Sequence, residues 1–367
     1  MTLTALVHRT ASWLDGSGPQ ANIVFSSRVR LARNLSQYKF VSCSTAEELV
    51  VVLSEFREAA KTVPQLRQGT LIDISKLNQM DRSFLLERHL LSPALAVDKK
   101  SPGLYVTGDE MISAMINEED HIRLQVIKSG LQLRQTWQII DKIDDELSDG
   151  VPYAFSDQYG YLTACPTNVG TGLRASVLIH LPALVLTKDI DKVIKGISQV
   201  GLTVRGFYGE GTEVLGNLFQ VSNQATLGRS EEEIVDNVEQ VTKQIIDLES
   251  KARQTLLADA GPQIEDKIWR AWGILKNARM LTSQELMSLV SAVRLGVSMG
   301  IVQSVPIASL NHLMILMQPA HLQKLSKRKM DASERDMMRA KLVRTRLSAD
   351  AQLGEISGSG ESQGSSS

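Results

Sequence analysis

The chain has 367 residues, 43% hydrophobic and 22% charged, with a formal net charge of −1. This balance fits a globular protein with room for two domains, and it lacks the basic field that would draw nucleic acid or an anionic membrane. Cys43 and Cys165 are the only cysteines, so the chain carries no disulfide framework and no zinc-binding cysteine spacing.

Residues 1–22 read as a helical or irregular lead without the apolar core of a signal peptide. Ile23-Val24-Phe25 opens a strand that runs on to Asn34, and its alternation puts Arg28 and Arg30 on one face. Two such arginines repel one another unless an anion sits beside them; the alternative is a solvated strand edge. Thr45-Ala46-Glu47-Glu48 is a capping box. It opens a helix with Leu49, Val52, Leu53 and Phe56 on one side, ended by Pro64. A short strand at 71–74 and a helix at 80–91, carrying His89 and closing at Ser92-Pro93, are expected next.

Residues 104–106 and 111–116 read as strands paired about a Gly-Asp turn. Asn117-Glu118-Glu119-Asp120-His121 follows at once. Three consecutive acids between apolar runs cost free energy unless cations or a metal offset them; a solvated acidic loop is the plainer reading. A long amphipathic helix is expected near 129–149.

The stretch GYLTACPTNVGTGLRAS at 160–176 joins a cysteine, a Gly-x-Gly turn and Arg174. A glycine turn followed by an arginine suits the approach of a phosphate. Gly170 to Ala175 also fits the dinucleotide pattern GxGxxA, with Asp191 downstream. Cys165-Pro166 before it and Pro182 after it suit a βαβ unit poorly. The apolar run 177–186 is interrupted by His180 and Pro182 and falls short of the roughly 20 residues of a membrane span, so a cytoplasmic location is expected. A helix at 188–199, a strand at 202–208, a flexible acidic loop at 209–213 and a strand at 218–222 complete this part.

Ser230 to Glu233 is a second capping box, opening a helix to about residue 257 that is broken by Gly261-Pro262. Helices at 263–277, 283–296, 306–317 and 331–347 follow. The expected division is a lead at 1–22, a catalytic domain at 23–256, a helical domain at 257–350 and a disordered tail at 351–367.

P-loop, HRD, DFG and HExxH motifs are absent. What recurs is arginine at strand ends or in short loops (Arg28, Arg30, Arg123, Arg174, Arg205) and acids in loops (Glu118, Glu119, Asp120, Glu210, Glu213). Guanidinium forks match phosphate oxygens, and phosphoryl transfer is mainly positioning and charge neutralisation, commonly with Mg²⁺. These residues point to a nucleotide phosphotransferase with a cationic acceptor.

SSRVRLARN at 26–34, NEEDHIR at 117–123, CPTNVGTGLRAS at 165–176 and VRG at 204–206 followed by Glu210 together resemble the catalytic domain of the phosphagen kinases, the creatine and arginine kinases. Those enzymes carry a helical domain ahead of the first block, which begins here at residue 26. A helical region follows instead, containing Arg335-Asp336-Met337-Met338-Arg339-Ala340, an RDxxRA sequence. That order resembles the bacterial protein-arginine kinase (McsB) family.

The resemblance implies an α/β (α+β) catalytic domain, its largely antiparallel sheet flanked by helices, and an all-helical C-terminal domain that dimerises. It implies that Arg28, Arg30, Arg123, Arg174 and Arg205 clamp the phosphates of ATP, with Mg²⁺ and no protein-held metal. Ser26, Ser27, Val29, Ala175, Ser176, Val177, Leu178, Gly206, Phe207, Tyr208, Gly209 and Glu210 would line the nucleotide site, with His89 near it. Glu119 and Glu210 would orient and deprotonate the acceptor guanidinium, which is protonated in water because its pKa exceeds about 12. Cys165 would lie in the acceptor pocket. Residues Arg335 to Ala340 would bind phosphoarginine allosterically, Arg335 and Arg339 forming a fork on one helix face and Asp336 holding the guanidinium. On spacing alone, a surface helix with ion pairs to Glu334 and Lys341 is the competing reading.

The implied reaction phosphorylates arginine side chains of proteins, among them a heat-shock repressor and misfolded proteins. An activator protein, McsA, and a Clp unfoldase–protease are the implied partners. Lack of the preceding domain implies a site open to a polypeptide. The rivals are a kinase for a small guanidino compound and a catalytically inert Clp adaptor.

Overall fold

The computed structural model describes residues 3–97, 100–206 and 215–358. The first half contains α1 (Leu3–Val7), β1 (Val24–Arg33), α2 (Ala46–Thr62), β2 (Thr70–Asp73), α3 (Gln79–Glu87), α4 (Pro93–Ala96), β3 (Gly103–Val106), β4 (Ile112–Ile116), β5 (Ile122–Ser129) and α5 (Leu133–Ser148). Then come β6 (Phe155–Ser156), β7 (Gly160–Tyr161), β8 (Leu173–His180), α6 (Pro182–Leu186), α7 (Ile190–Gln199), β9 (Leu202–Gly206) and β10 (Leu218–Asn223). The helices α8 (Glu231–Asn277), α9 (Ser283–Ser298), α10 (Ile307–Leu316), α11 (Pro319–Ser326) and α12 (Ala332–Gly358) complete the chain.

Among the described residues, eight strands form one sheet in the order β2-β3-β4-β5-β1-β8-β10-β9, with antiparallel pairing throughout. The fold is therefore the mixed α/β type with an antiparallel sheet and a helical C-terminal region. A dinucleotide-binding βαβ unit needs parallel strands, so the GxGxxA match at 170–175 has no such context. β1 is a central strand between β5 and β8, not a solvated edge.

Alternation divides the sheet into two faces. One carries Val29, Leu31, Leu124, Val126, Ala175 and Val177, which pack against Val52 and Phe56 of α2, Ile140 and Ile143 of α5, and Val235 and Val238 of α8. The other face changes character along the strands. It reads Arg123, Gln125, Ile127 on β5, Arg174, Ser176, Leu178 on β8, and Ser222, Gln220, Leu218 on β10. Its apolar end, with Phe25, is covered by Trp13 and by Ile268, Val290 and Leu310 of the C-terminal helices. The polar end forms a cavity.

The helices depart from the sequence reading in several places. α3 stops at Glu87, and His89 adopts a left-handed backbone (φ 58°) instead of continuing the helix to residue 91. α8 runs through Gly261-Pro262 and bends at Ala260 (φ −144°, ψ 31°). A proline just past a kink has lost no hydrogen bond that a new first turn needs, and the second half of α8 is held down by Ile264, Ile268 and Leu275. α11 was not expected; it is short and begins at Pro319, a favoured first-turn residue. α12 extends to Gly358, past residue 350, where Ala351, Gln352, Leu353 and Glu355 are good helix formers.

Candidate active site

The cavity, about 670 Å³, is lined by Arg28, Arg30, Arg123, Arg174 and Arg205 together with His89, Glu118 and Glu119. The sheet register assembles the cations: Arg30 stands opposite Arg174 and Gln125, and Arg28 opposite Ser176 and Ile127. Arg28 donates from Nη2 to Gln220 Oε1 at 2.6 Å, and Arg174 donates from Nη2 to the Ser222 hydroxyl at 3.0 Å. Burial, with Arg123 and Arg174 nearby, pushes Arg28 down to about 10. Burial and the same cationic neighbours, Arg28 among them, hold Arg30 well below its ordinary value. The buried Nε of Arg30 has no hydrogen-bond partner among the described residues. A cluster of this kind repels itself and favours a polyanion.

The acidic stretch is a tight turn between β4 and β5, not a solvated loop. Glu118 is 3% exposed, accepts from Ser92 Oγ at 2.5 Å and pairs with Arg123 at 2.9 Å. Asp120 accepts at Oδ1 from Asn34 Nδ2 at 2.6 Å and from the Ala164 amide at 2.7 Å. His121 Nδ1 accepts from the Leu35 amide, and Asn117 Nδ2 donates to the carbonyls of Leu49 and Ser101. With its neighbours anchored, Glu119 is the acid left on the surface of the cavity. Burial and the adjacent Asp120 and Glu118 raise its pKa, opposed by Arg123 and by a hydrogen bond with Cys165.

Asp120 therefore ties the acidic turn to the segment carrying Cys165. That segment is braced from below: Thr226 Oγ1 donates to the Thr167 and Val169 carbonyls, and Arg33 donates to the Thr171 carbonyl while pairing with Asp144 at 2.7 Å. Cys165 Sγ lies 3.0 Å from Thr167 Oγ1. The glycines serve close backbone packing. A Cβ on Gly170 (φ 112°) would meet the Thr226 carbonyl oxygen at 2.4 Å, and one on Gly172 (φ 62°) would meet the Ala32 carbonyl oxygen at 2.6 Å. The turn lies against β1 and the Thr226 strand exit, which corrects the phosphate-loop reading.

Several expected nucleotide-site residues point elsewhere. Val29, Ala175 and Val177 enter the helix-covered core, and Ser27 Oγ donates to the Gly130 carbonyl and accepts from the Gln132 amide at the start of α5. Their side chains cannot line the cavity, because alternation puts them on the other face. Ser26, Ser176 and Leu178 are brought beside Arg28 and His89, and Gly206 lies at the cavity wall. Phe207, Tyr208, Gly209, Glu210 and Glu213 lie outside the described residues.

Sequence reasoning missed Trp13, Ser92, Gln125 and Gln220. Trp13 is 2% exposed and meets His89 edge to face, their ring centroids 6.0 Å apart. Burial and Arg28 lower the His89 pKa to about 3, so its ring is neutral beside the arginines. Gln125 and Gln220 carried a signal, since each is a polar residue between two apolar neighbours of its strand, Leu124 and Val126 for one and Phe219 and Val221 for the other. Trp13 carried none.

On α12, Arg339 is 1% exposed and donates to the Met317 carbonyl at 2.9 Å, the Leu281 carbonyl at 2.6 Å and Asp336 at 2.5 Å. Arg335 donates to the Met330 carbonyl at 2.8 Å. Ala340 is buried, Met338 packs on the C-terminal core and Met337 is half exposed. The geometry places Arg339 and Asp336 in a pair with each other and does not present Arg335 and Arg339 as an open fork.

Two family models match the sequence: the C-terminal catalytic domain of ATP:guanido phosphotransferases over residues 51–252, and the C-terminal domain of the protein-arginine kinase McsB over residues 261–357. The chain is 46% identical over 348 residues to the protein-arginine kinase of Symbiobacterium thermophilum, covering 94% of this chain and 99% of that one. Against the protein-arginine kinase of Halothermothrix orenii the identity is 46% over 352 residues, covering 95% and 99%. The fold is similar to a lombricine kinase (TM-score 0.57, 26% identity, 69% of this chain and 73% of that one). It is also similar to the duplicated taurocyamine kinase of Schistosoma mansoni (TM-score 0.58, 24% identity), where the match covers 66% of this chain and 36% of that one.

Proposed function

The chain belongs to the protein-arginine kinase family of ATP:guanido phosphotransferases, and on that premise we propose that its cavity transfers the γ-phosphoryl group of ATP to arginine side chains of protein substrates. One observation carries the assignment of roles. The five-arginine cluster and Glu119 open into the same cavity, and Glu119 is hydrogen-bonded to Cys165; the arginines suit a polyphosphate and the carboxylate a cation.

Arg28, Arg30, Arg123, Arg174 and Arg205 hold the phosphates and balance charge as it moves onto the leaving ADP. Glu119 orients the acceptor guanidinium and takes a proton as the N–P bond forms and the bond from Pγ to the ADP oxygen breaks. Glu210 shares that task, and Cys165 contacts the acceptor. Mg²⁺ arrives with the nucleotide. An exposed Glu119 suits an arginine on a polypeptide.

Phosphoarginine would in turn bind at α12 and mark proteins, such as a heat-shock repressor or misfolded chains, for a Clp unfoldase–protease, with McsA as activator. This follows the family resemblance, as does a cytoplasmic location; no helix among the described residues is long and apolar enough to cross a membrane. A homodimer is supported by Trp269, Ile274 and Met280 near the end of α8, which are 42–51% exposed.

Incubation with labelled ATP and either unfolded protein or free arginine tests the reading. Phosphoarginine on protein, found by mass spectrometry at neutral pH, is expected. Label on free arginine alone would assign the chain to small guanidino acceptors.

A further inference from the structure

The end of α3 touches three parts of the molecule. Glu87, its last residue, accepts hydrogen bonds from the Ala320 and His321 amides at 2.8 and 2.9 Å, so its carboxylate sits on the first turn of α11. Lys324 of α11 pairs with Asp81 of α3, and the His321 ring lies 5.2 Å from that of Phe84. α11 is held in turn to α12. Arg339 donates to the carbonyl of Met317, just ahead of α11, and Arg335 and Arg339 are both close enough to act on the Glu87 carboxylate as positive charges.

The next residues reach the cavity. Buried Arg88 binds both carboxylate oxygens of Glu110 and the Arg9 carbonyl. His89 lies beside Arg28, and its carbonyl accepts from Gln125 Nε2 at 3.3 Å. Ser92 donates to Glu118, the ion-pair partner of Arg123 and the neighbour of Glu119. Residues 87–92 thus meet α11, and through it α12, at one end, and both the arginine cluster and the acidic turn at the other. A connection needed only for packing is served by apolar contacts. This one uses a desolvated carboxylate, a buried guanidinium and a left-handed histidine, each of which costs free energy.

We propose that residues 87–92 are a positioning strap through which the state of α12 reaches the nucleotide site, and that Glu87 is the residue attaching it. The proposal rests on the reading of α12 as a phosphoarginine site and adds the route by which that site acts. A ligand engaging Arg335, Asp336 and Arg339 competes for the bonds that Arg339 makes to Met317 and Asp336. The start of α11 then shifts, Glu87 follows, and His89 and Ser92 move relative to Arg28 and Glu118. ATP affinity is the quantity that changes.

A double-mutant cycle on the full chain tests this. ATP KM for protein-arginine phosphorylation is measured for wild type, Asp336→Asn, Glu87→Gln and the double variant, with thermal melts to verify folding. Asp336→Asn is expected to change the ATP KM by about fivefold, the lower end of allosteric coupling, and by less than about twofold when Glu87→Gln is present. An equal effect in both backgrounds would overturn the strap, because a merely structural Glu87 leaves the two effects independent. No effect of Asp336→Asn in either background would overturn it too. Calorimetric titration of free phosphoarginine into the wild type separates the two readings. Absence of binding refutes the α12 ligand, while the cycle still decides whether Glu87 couples α12 to the cavity.

Discussion

Glu118, Glu119 and Asp120 are adjacent and chemically alike, yet their surroundings give them different work. Ser92 and Arg123 hold Glu118, Asn34 and Ala164 hold Asp120, and Glu119 is left facing the cavity. Glu119→Gln keeps the shape and removes the proton acceptor, so kcat should fall by roughly 10²–10⁴-fold with ATP KM little changed. Unaltered phosphorylation of protein arginine would remove Glu119 as the base. The two ends of the 165–174 segment should separate by substrate. Cys165→Ser is expected to raise the KM of the protein acceptor. Arg174→Ala is expected to raise the ATP KM by roughly 10–100-fold, the loss of about 1.5–3 kcal/mol for a charge-assisted bond. Steady-state kinetics in both substrates would detect the reverse pattern, which would mean the ends are assigned the wrong way round. The pair Arg28 and Arg30 could be read from strand alternation; which of three acids faces outward could not, since that depends on Asn34 and Ala164 in other parts of the chain.

At the level of elements, local chemistry was a good guide wherever the cause was local. The boxes Thr45/Glu48 and Ser230/Glu233 both form, with both reciprocal bonds present. Ser230→Ala should cost about 1 kcal/mol, seen as a lower urea midpoint with an unchanged slope; an unchanged midpoint would mean that α8 is held by packing alone. The local signal misled at Gly261-Pro262, where apolar packing of the second half of α8 outweighs two poor helix formers. It misled again at residues 88–91. There Arg88 turns inward to Glu110 and His89 turns toward the cavity, so the helix gives way to tertiary partners.

For the whole molecule, the sheet is a shared floor: helices cover one face, and C-terminal helices and the N-terminal lead cover the apolar end of the other. The uncovered remainder concentrates positive charge. ATP should therefore stabilise the fold, by about 2.7 kcal/mol at 100 times its dissociation constant, and the shift in thermal midpoint should shrink as salt rises. A salt-independent shift would argue against the arginine cluster as the nucleotide site. Trp269→Glu should shift sedimentation toward a lighter species; an unchanged profile would place any dimer contact elsewhere.

The amino-acid sequence by itself determined the helix caps, the alternation of β1, the blocks that carry the family and the chemistry those blocks imply. These depend on spacing within one element or on residue type. Only the tertiary structure decided that β1 is central, that Gly170 and Gly172 serve backbone packing, that Trp13 and Ser92 belong to the site, and that Glu87 ties α3 to α11. Each of those is set by pairing between segments far apart in the chain. No local pattern records which face of a strand will be covered, or by what.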